Sequence, residues 1–187
     1  MTQLSHLELP FLDFIQAHMT SPFFDRFWVF ITHLGDAGLI WIGLTLVLLL
    51  MPKTRKVGLY SACALIFSLL LSNGLLKNLI GRPRPYTFTS MDLLIKAPWD
   101  FSFPSGHTSA SFAFAFVILK ERPRLGKIGL TLPVVVLACL MAFSRLYLYV
   151  HFPSDILFAI FMGWVCYRLA YWVGPKVMDR LPKVFDR

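Results

Sequence analysis

The chain has 187 residues, of which 57% are hydrophobic and 15% charged, with a formal net charge of +8. A soluble domain usually carries about a quarter charged residues, so this composition excludes an ordinary soluble globular protein, and the length suggests a single domain. Cys63, Cys139 and Cys166 all fall inside apolar runs. They read as small buried hydrophobes rather than a disulfide framework.

Met1–Pro10 is polar and lacks a basic start followed by an apolar stretch, so no signal peptide is expected. Leu7–Leu34 mixes Phe, Trp and Leu, at spacings of three and four, with Asp13, His18, Asp25 and Arg26. That pattern suits an amphipathic helix lying in the membrane interface. Five apolar spans follow, near 35–51, 57–78, 104–120, 127–147 and 153–173. Several approach the roughly 20 residues that cross a bilayer. Pro133, inside the fourth, is expected to kink it.

The basic clusters Lys53–Lys56, Lys120–Lys127 and Lys176–Arg187 each sit just beyond an apolar run. This is the pattern of cytoplasmic loops and accounts for the surplus charge without a nucleic-acid partner. The expected fold is all-α, a polytopic membrane helical bundle. It has five transmembrane helices, or six if 11–34 crosses, and an N-terminal interfacial amphipathic helix. The expected division is an interfacial segment over 1–34, a membrane domain over 35–175 and a basic tail over 176–187.

With those clusters inside, three polar groups fall together on the outer face. Lys77, Arg82 and Arg84 close the second span. Ser105, Gly106 and His107 open the third. Ser144 and Arg145 close the fourth, followed by His151 and then Asp155 on the fifth. Ionisable groups at such depth read as functional. Lys77, Arg84 and Arg145 supply cations for a phosphoryl group. Ser105-Gly106-His107 offers backbone N–H groups at a helix start, where Gly106 permits close approach of an anion. Asp155, four residues past His151, can orient its ring and leave the other nitrogen as a nucleophile. His107 is then available as the acid for the leaving oxygen. Arg82 reads as a phosphate or headgroup contact and is not counted with the site. His33 and Asp36 read as capping or interfacial residues.

Lys77-x6-Arg84-Pro85, Pro104-Ser105-Gly106-His107 and Ser144-Arg145-x5-His151-x3-Asp155 resemble the three signatures of the type 2 phosphatidic acid phosphatase superfamily. That family includes membrane lipid phosphate phosphatases, bacterial undecaprenyl-diphosphate and phosphatidylglycerophosphate phosphatases, and soluble vanadium haloperoxidases. The resemblance implies that His151 attacks phosphorus, Asp155 orients it and His107 protonates the leaving group. It also implies that Lys77, Arg84, Ser105, Gly106 and Arg145 bind the phosphate, and that vanadate inhibits. Many bacterial relatives have Gly where this chain has Tyr149, which is expected to narrow the mouth.

No cofactor is expected. Asp92, Asp100 and Asp155 are the main acidic residues near the outer site, short of a two-metal ligand set, and no P-loop is present. The expected substrate is a membrane lipid phosphate or diphosphate, with undecaprenyl diphosphate first. Phosphatidylglycerophosphate, phosphatidate and lipid A phosphate are alternatives, as is a non-catalytic phospholipid-binding or transport protein. The loop 86–103, with Met91, Leu93, Leu94, Ile95 and Trp99, is expected to form an apolar lid over a site facing the extracytoplasmic side of the inner membrane.

Overall fold

Ser21 and Pro22 divide the N-terminal segment into two helices, α1 (Thr2–Met19) and α2 (Pro22–Leu34), in the computed structural model, which describes residues 2–180. Proline at the first helical position needs no N–H partner, and the Ser21 hydroxyl accepts from Phe24 N at 3.3 Å. The expected interfacial segment is therefore a helix pair. A short 3₁₀ turn, Asp36–Gly38, follows, with Ala37 (φ 50°) and Gly38 (φ 73°) both left-handed. It turns the chain by 45° into α3 (Leu39–Leu50).

After the turn Pro52–Thr54, α4 (Arg55–Ser68) runs into π-helical turns over Leu69–Leu76 and then α5 (Lys77–Ile80). The expected span 57–78 is thus helical throughout but widened where it nears the polar groups. Such π turns concentrate at functional sites. Gly81, at φ 62°, ends the run, its N–H donating to Lys77 O at 3.1 Å. A loop containing the 3₁₀ turn Pro85–Phe88 leads to α6 (Gly106–Glu121).

A two-stranded antiparallel hairpin, β1 (Arg124–Leu125) and β2 (Ile128–Gly129), follows and takes up residues expected to begin the fourth span. That helix, α7 (Thr131–Tyr147), therefore starts later. Pro133 lies in its first turn, where its missing N–H is tolerated, so the expected kink has no place. The last helix, α8 (Pro153–Arg180), runs beyond 173 and through Pro175.

Lipid tails are as apolar as core side chains, so close packing and interhelical hydrogen bonds hold such helices together. The central helix α6 packs against α8, α7 and α4. At Gly163 an added Cβ would lie 2.8 Å from Ala113 N, so glycine sets the close approach of α8 to α6. The Trp41 indole donates to Ser111 Oγ at 3.0 Å, joining α3 to α6. Ser68 and Ser72 Oγ lie 2.9 and 2.7 Å from Ser109 Oγ, joining the second span to α6. Cys166 is buried in this core and Cys63 half-buried, but Cys139 is exposed on α7, against expectation.

The segment Pro52–Phe88 and helix α8 are each long and apolar enough to cross a bilayer, and α2 with α3 qualifies as a bent pair. The protein is a mostly helical membrane protein in which α6, with 16 residues, and α7, with 17, are shorter than a full span.

Candidate active site

Four chain segments meet at one end of the helices: the α5 end of the second span, the N-terminus of α6, the C-terminus of α7 and the N-terminus of α8. Lys77, Arg84, Gly106, His107, Arg145 and His151 all line one cavity of about 790 Å³ there, with Asp36, Asn73 and Asp100. Ser105 and Asp155 are fully buried behind that wall.

The three expected cations are buried and differ in their partners. Lys77 Nζ donates to Asp100 Oδ2 at 2.5 Å, and Arg84 Nη2 to Asp100 Oδ1 at 2.6 Å. Arg84 also donates from Nε to Asp100 O and from Nη1 to Val150 O, both at 2.8 Å. Burial works against ionisation of Asp100, but Lys77 and then Arg84 outweigh it and hold its carboxyl at about 2. Arg145 donates from Nη1 to Thr32 Oγ1 at 2.5 Å, has no carboxylate partner among the described residues, and leaves its buried Nε without an acceptor. A buried, unsatisfied guanidinium donor is costly.

His151 sits in the turn between α7 and α8, 1% exposed. Its Nε2 faces the cations, 3.2 Å from Arg84 Nη1. Its Nδ1 faces Asp155, with Oδ2 at 3.5 Å. The Ser102 hydroxyl lies 3.4 Å from Nδ1 and donates to Asp155 Oδ2 at 2.5 Å, so serine mediates the expected direct hydrogen bond. Phe152 N also donates to Oδ2, at 2.9 Å. Desolvation, followed by the charges of Arg84, Arg145 and Lys77, pushes the His151 imidazolium well below 6.5. The ring is therefore neutral near pH 7, with Nε2 as its basic nitrogen toward the cavity.

Ser105 caps α6: its hydroxyl accepts from Thr108 N at 3.4 Å and Thr108 Oγ1 at 3.0 Å. At Gly106 an added Cβ would lie 2.3 Å from Asn73 Oδ1, so glycine here makes room for a side chain of the π turns. His107 Nε2 lies 3.3 Å from Asp36 Oδ1, whose other oxygen is 2.7 Å from His33 Nδ1.

Sequence reasoning placed the catalytic and phosphate-binding candidates in one region but missed the groups that hold them. Asp36 is not merely a cap, because it joins His107. Arg82 is not a headgroup contact: it is 2% exposed and bound to Asp155. Ser102 and Asn73 carried no signal in the sequence. Tyr149 does not narrow the mouth. It is buried, left-handed at φ 58°, and turned away from the cavity to donate to Asp13 at 2.7 Å. In the loop, Ile95 and the segment Lys96–Asp100 line the cavity, whereas Met91 and Leu93 are packed into hydrophobic clusters beside it.

The arrangement gathers three buried cations and a neutral histidine around one cavity of a membrane protein. Residues 58–179 match the PAP2 superfamily model, and the chain belongs to that superfamily. It is 29% identical over 166 residues to undecaprenyl-diphosphatase BcrC of Bacillus subtilis, covering 87% of this chain and 82% of that protein. It is 28% identical over 137 residues to the undecaprenyl-diphosphatase of Sulfolobus acidocaldarius, covering 72% of this chain and 60% of that one. The crystal structure of a transmembrane PAP2-type phosphatidylglycerolphosphate phosphatase from Bacillus subtilis superposes with a TM-score of 0.73 at 26% identity. That match covers 95% of this chain and 89% of the other.

Proposed function

We propose that the protein is an integral-membrane phosphatase that hydrolyses a lipid phosphate or diphosphate through a phosphohistidine at His151, without a metal ion. The observation that carries this reading is the gathering of Lys77, Arg84 and Arg145 in the one cavity that His151 lines, with Arg84 Nη1 3.2 Å from its Nε2. Lys77 and Arg84 share the one carboxylate of Asp100, and Arg145 has no ion-pair partner among the described residues, an arrangement suited to a phosphoryl dianion. His151 Nε2 attacks phosphorus, the bond to the leaving oxygen breaks, and His107 gives that oxygen its proton. Water then attacks the phosphohistidine and gives its proton to His107, the P–N bond breaks, inorganic phosphate leaves, and both histidines return to their starting state. Positioning and charge neutralisation supply most of the catalysis in such transfers. Phosphate release in the presence of EDTA tests the metal-free part of the proposal.

Lipid is favoured because the same cavity continues along α3 and α4 between Ile42, Leu46, Leu49, Leu65, Ile66 and Leu69. An acyl or prenyl chain fits such a wall, and a soluble metabolite has no use for it. Undecaprenyl diphosphate is the first choice, supported by the names of the relatives. The reading places five spans, or six, in the inner membrane, α1 in the interface and the site on the extracytoplasmic side. The test is phosphate release by the purified protein in EDTA from undecaprenyl diphosphate, phosphatidylglycerophosphate, phosphatidate and lipid A. The highest kcat/KM is expected with the diphosphate. Release from none of them, or release that needs added Mg²⁺, would overturn the proposal.

A further inference from the structure

The first helix reaches the catalytic histidine through two side chains. Arg82, at the end of the second span, uses its whole guanidinium: Nη1 donates to Asp155 Oδ1 at 2.6 Å and Ser154 Oγ at 2.7 Å. Nη2 donates to Glu8 Oε2 at 2.6 Å, and both Nη2 and Nε donate to Ser5 Oγ at 3.1 and 3.2 Å. Its plane lies over Phe152, 4.0 Å from the ring centroid. Glu8, on α1, also accepts from Ser154 N at 2.7 Å and Ser154 Oγ at 2.9 Å. It thus caps the N-terminus of α8 one residue before Asp155. Carboxylates are favoured at that end of a helix.

Each oxygen of Asp155 is therefore assigned. Oδ2 takes Ser102 and Phe152 N and faces His151, while Oδ1 is held by Arg82. Two further contacts tie α1 to the turn that carries His151: Asp13 accepts from Tyr149, and Gln16 Nε2 donates to Tyr147 O at 2.5 Å. Tyr149 holds a left-handed conformation that side chains avoid by roughly 1–2 kcal/mol, and its bond to Asp13 secures it there.

We propose that Arg82 is a positioning residue for the Asp155–His151 pair, and that α1, through Glu8, is part of the catalytic apparatus rather than only a membrane anchor. The proposal rests on the phosphohistidine reading above. Arg82 and Glu8 do not line the cavity, so their loss acts on orientation and not on substrate contact. Small displacements of a catalytic group cost on the order of 10²-fold in rate.

The experiment compares wild type, Arg82→Gln, Arg82→Lys, Glu8→Gln, Asp155→Asn and Arg82→Gln/Asp155→Asn, with thermal stability measured alongside lipid-phosphate kinetics. Arg82→Gln should lower kcat by about 10²-fold with KM within about threefold of wild type. Glu8→Gln should lower kcat by about tenfold, because the guanidinium loses one of its charged anchors. Arg82→Lys should recover only part of the Arg82→Gln loss, since one ammonium cannot bridge both carboxylates with forked geometry. The double variant should be little slower than Asp155→Asn alone, because residues acting as a unit are non-additive. A folded Glu8→Gln or Arg82→Lys protein with wild-type kcat would overturn the proposal, as would multiplicative losses in the double variant. If Arg82→Gln does not fold, Glu8→Gln and Arg82→Lys decide. Failure of wild type to release phosphate from any lipid would instead sink the proposed function.

Discussion

The Nε2 of His151 lies 3.2 Å from the Nη1 of Arg84, so the nitrogen assigned to attack has a cation as its neighbour. A cation there disfavours the imidazolium, adding to the larger effect of desolvation, and keeps the lone pair available. The sign for stability follows from linkage. Below about pH 6.5 the unfolded chain takes up a proton at His151 that the native site refuses. Stability is therefore lost as pH falls from 6.5 toward the lowered native value, and this group contributes no slope above it. For activity, the acid limb of kcat/KM due to the enzyme should lie well below 6.5. In Arg84→Gln that limb should move toward 6.5, because the charge beside Nε2 is gone. Profiles of both proteins on one substrate share the substrate's own titration, so their difference isolates the histidine. An unmoved limb would mean that another group sets it.

Asp100 pairs with Lys77 and Arg84, two of the three cations proposed to hold the phosphoryl group. Substrate must displace or share with a carboxylate that is ionised throughout the working pH range, since it titrates only at about 2. Asp100→Asn keeps the loop's size and removes the competing charge. Its KM for lipid phosphate, and the inhibition constant of inorganic phosphate, should fall roughly three- to tenfold, the scale of the net contribution of one ordinary hydrogen bond. A higher KM would show that Asp100 holds the cations in place for substrate rather than competing with it.

Gly106 and Asn73 should behave as a coupled pair. Gly106→Ala puts a methyl where Asn73 Oδ1 now sits, and overpacking of this kind costs about 1–3 kcal/mol. The variant should melt earlier and turn over more slowly. Adding Asn73→Ala should restore stability relative to Gly106→Ala alone, a non-additive result expected of residues in contact. Simple addition of the two losses would refute the coupling.

Orthovanadate should inhibit competitively with lipid substrate. A five-coordinate vanadate on His151 Nε2, surrounded by Lys77, Arg84 and Arg145, resembles the transferring phosphoryl group, and analogues of that state bind more tightly than substrate. Steady-state kinetics at millimolar vanadate check this, and His151→Ala should lose the tight component of vanadate binding in a calorimetric titration. Unimpaired turnover of wild type at that concentration would count against the geometry.

Legibility in the sequence divided along physical lines. Lys77, Arg84, His107, Arg145 and His151 could be placed together because each lies at the end of an apolar run, and basic clusters told which ends share a face. Asn73 was not legible, because the π turns that aim it toward Gly106 have no composition of their own. Asp36 was not, since it reaches His107 only through the left-handed turn at Ala37 and Gly38. Asp13 and Asp25 read as charges too costly for hydrocarbon, which argued against a crossing. Their partners are the hydroxyls of Tyr149 and Tyr147, 136 and 122 residues away, pairings that no local pattern reveals. Arg82 was misjudged for the same reason: its acceptors Glu8 and Asp155 are 74 and 73 residues distant.

The side of the membrane served by the site can be tested on the loops themselves. The hairpin between α6 and α7 carries Arg124 and Lys127 next to Lys120 and Arg122, and short basic loops resist translocation. The cavity lies at the opposite end of both helices, where α6 begins and α7 ends. On the proposed function the basic residues within it serve a phosphoryl group and are not topological signals. Ser90, exposed in the loop over the site, and Lys127, exposed at the hairpin, are therefore expected on opposite sides. With Cys63, Cys139 and Cys166 first replaced by Ala, Ser90→Cys should react with a membrane-impermeant maleimide on intact cells. Lys127→Cys should react only after the cells are opened. The reverse labelling would put His151 toward the cytoplasm, and hydrolysis of an outward-facing carrier lipid would have to be abandoned as the activity.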